Sequence, residues 1–356
     1  MSDIKYPALI INKAKLAHNT KLLKDMCEAH GIQMAAVTKV YCGIPELAEA
    51  QVDAGADYIA DSRIENMIKM EGIKAPKLLL RIPMISQAAD VVRYCDLSLN
   101  SELEVIKALG EAALDQGKKH NIILMIDMGD LREGVWSESA VAYAGEIVQM
   151  PGVHLKGIGV NLTCYGGVLP SCENIGALVS LGEEIEDMYC IKLDIISGGN
   201  SSSLKLMNQE KMSKRVNLLR LGESIVLGME TADASHIPGT HKDIFTLNAE
   251  IVELKDKPSV PIGKIGLDAF GHKPVFTDRG NMKRAIVAIG RQDANIDGLI
   301  PRDNMIKIIG ASSDHMILDV TDSEIEYTVG DILEFDLSYG GLLSVCTSEY
   351  VSKVIV

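Results

Sequence analysis

Between residues 33 and 221 the chain alternates short apolar runs with longer amphipathic stretches. The runs fall at 34–39, 58–61, 77–82, 97–99, 121–127, 155–162, 192–197 and 216–221. Continuous apolar runs of this length, bounded by turn residues, read as buried parallel strands. The intervening stretches, such as 45–53, 101–117, 138–149 and 173–189, space their apolar residues by three and four, as one face of a helix does. Ser101 followed by Glu104 predicts a capping box opening one of these helices. Eight strands alternating with helices predict an α/β fold of the (β/α)8 TIM-barrel type. A doubly wound open sheet would carry a glycine fingerprint after its first strand, and none is present. The segment 8–12 precedes the alternation and leads into a helix over 13–29, so it reads as a strand lent to another part of the molecule.

After about residue 230 helical periodicity gives way to β-rich runs at 245–254, 284–290, 305–309, 315–320 and 331–336. Turn signals at 257–259, 278–280 and 329–331 separate them. The expected division is a barrel over 11–230 and a mostly β C-terminal domain built from 1–10 plus 231–356. No repeat or low-complexity tract interrupts either part.

Composition narrows the function. Hydrophobic residues make up 47% and charged residues 24%, the balance of a globular protein with a substantial core. A net charge of −14 without a basic stripe argues against nucleic acid and favours approach by cationic small molecules. The N-terminus lacks a signal-like apolar core, and no apolar stretch reaches membrane-spanning length. The seven cysteines are scattered, with no Cys-x-x-Cys spacing, so reduced thiols, a cytoplasmic setting and no metal site are expected.

The chemistry collects at strand ends. Lys39 closes the first run, and its two readings are a lysine that snorkels to water and an amine at the catalytic face of a barrel, where desolvation makes it a nucleophile or base. The run at 192–197 is followed by Ser197-Gly198-Gly199-Asn200-Ser201-Ser202-Ser203, and the run at 216–221 by Gly222-Glu223-Ser224. Each segment alone reads as a Gly/Ser surface turn; together they sit where barrels bind phosphate, after strands seven and eight. A lysine and a phosphate cradle together point to pyridoxal 5'-phosphate (PLP) held as a Schiff base.

At these residues the chain resembles the alanine-racemase-like PLP enzymes. Ala36-Val37-Thr38-Lys39 resembles that family's Schiff-base segment, and Asp127-Met-Gly-Asp-Leu-Arg132-Glu-Gly134 its strand-five motif. Gly198-Gly-Asn-Ser201 resembles the phosphate loop, Arg220-Leu-Gly222 the segment that meets the pyridine nitrogen and the phosphate, and 310–319 the stretch that enters a partner subunit's site. The resemblance implies a PLP-dependent amino-acid racemase working by two-base proton exchange, and a homodimer whose β domain completes the partner's active site. It implies Lys39, Tyr41, Asn161, Ser201, Arg220, Gly222 and Glu223 around the cofactor, with Arg132 at the substrate carboxylate. The family's second base, a tyrosine, is missing here; counting back from Arg291 puts His272 in its place, either as a catalytic imidazole or as an ordinary loop histidine. Tyr41 is either a pocket residue or a packed aromatic. These departures resemble a branch acting on basic amino acids, with ornithine as the expected substrate. Asp314 is the expected partner of the side-chain ammonium, with Asp293 and Asp130 behind it. Racemisation of lysine or alanine, a decarboxylase or D-threonine aldolase-like lyase, and a non-catalytic PLP homeostasis protein remain alternatives.

Overall fold

Alternating side chains on short apolar strands turn the first two-thirds of the chain into a closed cylinder. The structure, a computed structural model describing residues 4–267 and 270–356, places strands at Gln33–Val37, Tyr58–Asp61, Lys77–Leu79, Leu97–Asn100, His120–Asp127, Val153–Val160, Ile195–Ser197 and Leu218–Leu221. Each pairs in parallel with its neighbours, and the first pairs with the last, Leu218 opposite Gln33 through Leu221 opposite Ala36. The result is the (β/α)8 barrel. Alternate positions point inward: Ala35, Val37, Ala60, Leu78, Leu97, Leu99, Ile123, Met125, Ile195 and Leu218 form one buried cluster. Strand six contributes only glycine at this level. A Cβ on Gly157 would lie 2.1 Å from the Ile195 carbonyl oxygen, so strands six and seven approach this closely only because that residue has no side chain.

Several boundaries depart from expectation. The first barrel strand ends at Val37, and Lys39 opens a 3-10 turn, Lys39–Tyr41, instead of closing the strand. The capping box expected at Ser101 does not form: the helix Leu103–Asp115 has Glu102 at its cap position, extended and without a side-chain cap, so Ser101 stands one residue too early. A capping box does form at Ser171, whose hydroxyl accepts from the Asn174 amide while the Asn174 side chain accepts from Ser171 N–H. It was hidden because asparagine replaces the usual Glu or Gln.

The contacts divide the chain into two units, Ala14–Lys242 and a second unit combining the segment up to Lys13 with Asp243–Val356. The sequence pattern had suggested divisions near 10 and 230. Residues up to 242 join the barrel unit because buried Asn19, on the helix Lys13–Ala29, donates to the Ile225 and His241 carbonyls and accepts from His241 N–H, at 2.8–2.9 Å.

In the second unit the long strand Phe245–Pro258 is the hub. It pairs antiparallel with Ala8–Ile11, with Ile332–Leu337 and with Asn281–Val287, and a bulge at Val252 shifts the last register. Ser352–Ile355 lies parallel to Ala8–Ile11. This unit is mostly β, as expected, and also holds a helix, Tyr339–Thr347, where the residue order shows no helical period. Its two glycines and its weak polar face concealed the helical period.

Replacing Asn19 with alanine strands three backbone groups inside the barrel unit. Chemical denaturation of Asn19→Ala should show a loss of roughly 1–3 kcal/mol, the cost of unsatisfied buried partners.

Candidate active site

Parallel strands put all their carboxyl ends on one face, so residues far apart in sequence converge there. Strands seven and eight and the loops after strands five and six are joined by one hydrogen-bond network. Arg220, on strand eight beside Ala35 of strand one, is buried. Its guanidinium donates to Ser197 Oγ on strand seven, to the Val160 carbonyl at 2.8 Å and to Asn161 Oδ1 at 2.5 Å after strand six. Asn161 Nδ2 in turn donates to Glu133 after strand five, and Glu133 pairs with Arg132. Burial pulls Arg220 down to about 10, partly opposed by the Glu133 carboxylate, so the group stays cationic at neutral pH.

A second cluster joins the loops after strands seven and eight. Ser201 Oγ lies 2.9 Å from Ser224 Oγ, and the Gly222 and Ser224 amides donate to it at 3.4 and 3.2 Å. Neighbouring Ser202 is buried with its hydroxyl unpartnered. Two hydroxyls and two amides converge on adjacent turns, with an orphan hydroxyl on the next residue, a donor set suited to a phosphate. Lys39 is half-buried after strand one. Glu223, the first residue of the helix Glu223–Leu227, feels it directly: burial pushes the Glu223 carboxyl up, the Lys39 charge pulls it back, and Glu230 adds to the rise. Beneath Lys39, Thr38 Oγ1 donates to buried Asp61 at 2.6 Å. Burial raises the Asp61 carboxyl against the hydrogen bonds from Thr38, Asn66 and the Arg63 and Ser62 amides.

Phosphate donors, an interior guanidinium and a strand-end lysine around one barrel mouth fit PLP. Comparison with known proteins agrees. Residues 11–229 match the family model "Alanine racemase, N-terminal domain". The chain is 46% identical to the ornithine racemase of Acetoanaerobium sticklandii over 99% of its own length and 100% of the relative's. It is 41% identical to the lysine racemase of Thermotoga maritima, covering 98% of each. Among solved structures, an alanine racemase of Clostridium difficile superposes with a TM-score of 0.75 at 21% identity, covering 99% of this chain and 97% of the other. One from Bartonella henselae, with covalently bound pyridoxal phosphate, gives 0.74 at 16%, covering 98% and 99%.

The chain belongs to the alanine racemase family. It is an amino-acid racemase, and its cofactor is PLP.

Within this racemase the predicted residues distribute unevenly. Lys39, Arg132, Asn161, Ser201, Arg220, Gly222 and Glu223 all follow or end barrel strands. Tyr41 is a packed aromatic: it is fully buried, and its hydroxyl donates to Gln51 at 2.6 Å, which leaves no donor for a ligand. Asp130, which stood behind Asp314 as a candidate for the ammonium, organises a loop. It is buried, and its carboxylate accepts the Cys164, Tyr165 and Val168 amides at 2.9–3.1 Å. His272, Asp293 and Asp314 lie in the second unit. Asp293 accepts from Ser348 at 2.7 Å. Asp314 is exposed and accepts from His315 at 3.0 Å; that bond, with one from Ser312, holds its carboxyl below the usual range. The segment carrying Asp314 is tied to Arg291 and Gln292, whose amides donate to the Ser312 and Ser313 carbonyls. Phe270, two residues from His272, lies with its ring 5.5 Å from the Arg291 guanidinium. Sequence reading passed over Glu133, whose only signal was a carboxylate directly beside the motif arginine, and Ser224, whose only signal was its place in the second turn.

Asp130 generates a pH prediction. Burial works against its charged form, but the Tyr165, Val168, Cys164 and Gly166 amides outweigh it and depress the folded pKa below the ordinary 3.8. Its stabilisation is therefore present above that value and lost as pH falls through the lower folded value. Asp130→Asn should be less stable than wild type at pH 7, and urea midpoints should converge as pH drops below about 4.

Proposed function

We propose that this racemase interconverts L- and D-ornithine in the cytoplasm as a homodimer. The observation that carries the substrate is the 46% identity, over essentially the whole of both chains, to an ornithine racemase. Lysine is the second reading, favoured by the 41% identity to a lysine racemase. The two substrates differ by one methylene, which a pocket discriminates by only about 1–3 kcal/mol.

When bound, the cofactor withdraws electrons from the substrate α-carbon and makes its proton removable. Residues of this chain do the rest. Ser201 and Ser224 hydroxyls with the Gly222 and Ser224 amides would hold the phosphate, and Arg220 the ring nitrogen. An arginine there, cationic and donor-only, would keep the ring nitrogen unprotonated and so restrain the electron sink, favouring proton exchange over side reactions. Lys39 would hold the cofactor covalently, and its Nζ would exchange the α-proton on one face. Arg132 would receive the substrate carboxylate in the fork geometry that guanidinium and carboxylate share. His272 from a partner subunit would exchange the proton on the opposite face, and the partner's Asp314 would meet the side-chain ammonium. Asp314 is exposed, and the hydrogen bonds from His315 and Ser312 favour its charged form, which an ammonium would meet.

The same fold carries a D-threonine aldolase, with a TM-score of 0.73 at 16% identity, so bond cleavage other than at C–H is the rival chemistry. Ornithine incubated in deuterium oxide should gain deuterium at the α-carbon with loss of optical rotation and no loss of carbon; release of carbon dioxide or an aldehyde would sink the proposal. Lys39→Ala should abolish turnover, by at least about 10³-fold, since it removes both the cofactor anchor and a base. His272→Ala should lower the rate by about 10²–10⁴-fold. A His272 variant of wild-type rate would remove that residue from the mechanism.

A further inference from the structure

Between the two arginines of the barrel mouth sits a carboxylate with no role assigned so far. Glu133 follows Arg132 in the loop after strand five and is largely buried, with its side chain 19% exposed. One oxygen accepts from Arg132 Nε and the other from Arg132 at 2.6 Å and from Asn161 Nδ2. Asn161 Oδ1 accepts from Arg220 at 2.5 Å. The chemistry allows this chain only one direction. A guanidinium can only donate and a carboxylate can only accept, so the amide between them must present its NH2 to Glu133 and its oxygen to Arg220.

The loop that delivers Glu133 is locked at both ends. Asp127 Oδ1 accepts the Gly129 and Leu131 amides at 2.8 and 3.2 Å. Gly134, at φ +140°, lies so close to strand five that a Cβ would fall 2.4 Å from the Asp127 nitrogen. Glu133 is thereby pinned between two fixed points, not carried on a mobile tip.

We propose that Glu133 is a positioning residue of the racemase: its single carboxylate fixes the Arg132 guanidinium directly and the Arg220 guanidinium through Asn161. Two cations are thus held in set places at the barrel mouth, and their mutual repulsion is offset by the anion between them. One residue couples substrate orientation, at Arg132, to the electronic setting of the cofactor, at Arg220. This rests on the assignment of the barrel mouth as the cofactor and substrate site.

Glutamine at position 133 is close in shape but breaks the relay. Its NH2 would confront a donor, either Arg132 or the Asn161 amide, and an Asn161 that turned to accommodate it would abandon Arg220. The test uses PLP-loaded wild type, Glu133→Gln, Asn161→Ala and the double variant. The readouts are the absorbance spectrum of the bound cofactor at fixed pH and kcat and KM for ornithine. Glu133→Gln should shift the spectrum and raise KM, with kcat/KM down by about 10²-fold, the scale of a misplaced substrate clamp. Asn161→Ala should shift the spectrum and lower kcat with KM little changed. The double variant should resemble Glu133→Gln alone, since both act through one chain. Losses that simply add, or a Glu133→Gln enzyme with wild-type spectrum and KM, would overturn the proposal. Should Glu133→Gln fail to fold, Glu133→Asp keeps the charge but shortens the reach by one methylene. A shifted spectrum supports the relay in that variant and an unchanged one overturns it. If wild type does not racemise ornithine, the substrate reading fails by itself, and the spectral comparison still decides the role of Glu133.

Discussion

A guanidinium buried inside a parallel barrel is the constraint on which the rest of this site depends. Arg220 is 3% exposed, and an uncompensated charge in such a place costs several kcal/mol. The surroundings meet that cost on three successive strands. Ser197, the Val160 carbonyl and Asn161 accept from Arg220, and Glu133 returns a negative charge through the amide. The loop after strand five, whose fixed path brings Glu133 forward, therefore belongs to the same unit as the strand-eight arginine. Disturbing any member leaves the others with buried donors or acceptors facing nothing.

The phosphate-type cradle is built on the opposite principle. It gathers donors without a cation: serine hydroxyls and the amides of the turn that begins the helix after strand eight. Buried donors converging on one another are only partly satisfied among themselves, as the orphan hydroxyl of Ser202 shows. Such an arrangement is stable enough to fold and becomes fully paired only around an anion. Lys39 follows strand one, with Glu223 as an acidic neighbour.

Much of this was legible in the residue order. All eight barrel strands lie within the apolar runs or extend them by one or two residues, because a strand buried on both faces has to be continuously apolar. The cofactor class followed from two Gly/Ser turns at the right ordinal places plus a strand-end lysine. What the residue order left open was local chemistry with a competing tertiary use. Tyr41 and Asp130 carry functional-looking groups, yet one is closed off by Gln51 and the other by three backbone amides of a loop more than thirty residues later. The helix Tyr339–Thr347 was missed because its pattern of glycines and apolar residues has no polar stripe to set a period.

By itself, the sequence determined the number and order of the barrel strands, the change to β structure in the last third, the lysine and the two anion-type turns. Each of these is encoded in neighbouring residues, through burial periodicity, turn chemistry and motif spacing. Only the tertiary structure decided which polar residues face one another. It joined Glu133 to Asn161 across 28 residues and Asn161 to Arg220 across 59, and it withdrew Tyr41 and Asp130 into packing. The physical reason is that a hydrogen bond or charge pair is defined by position in space, and barrel closure, not sequence proximity, brings those positions together.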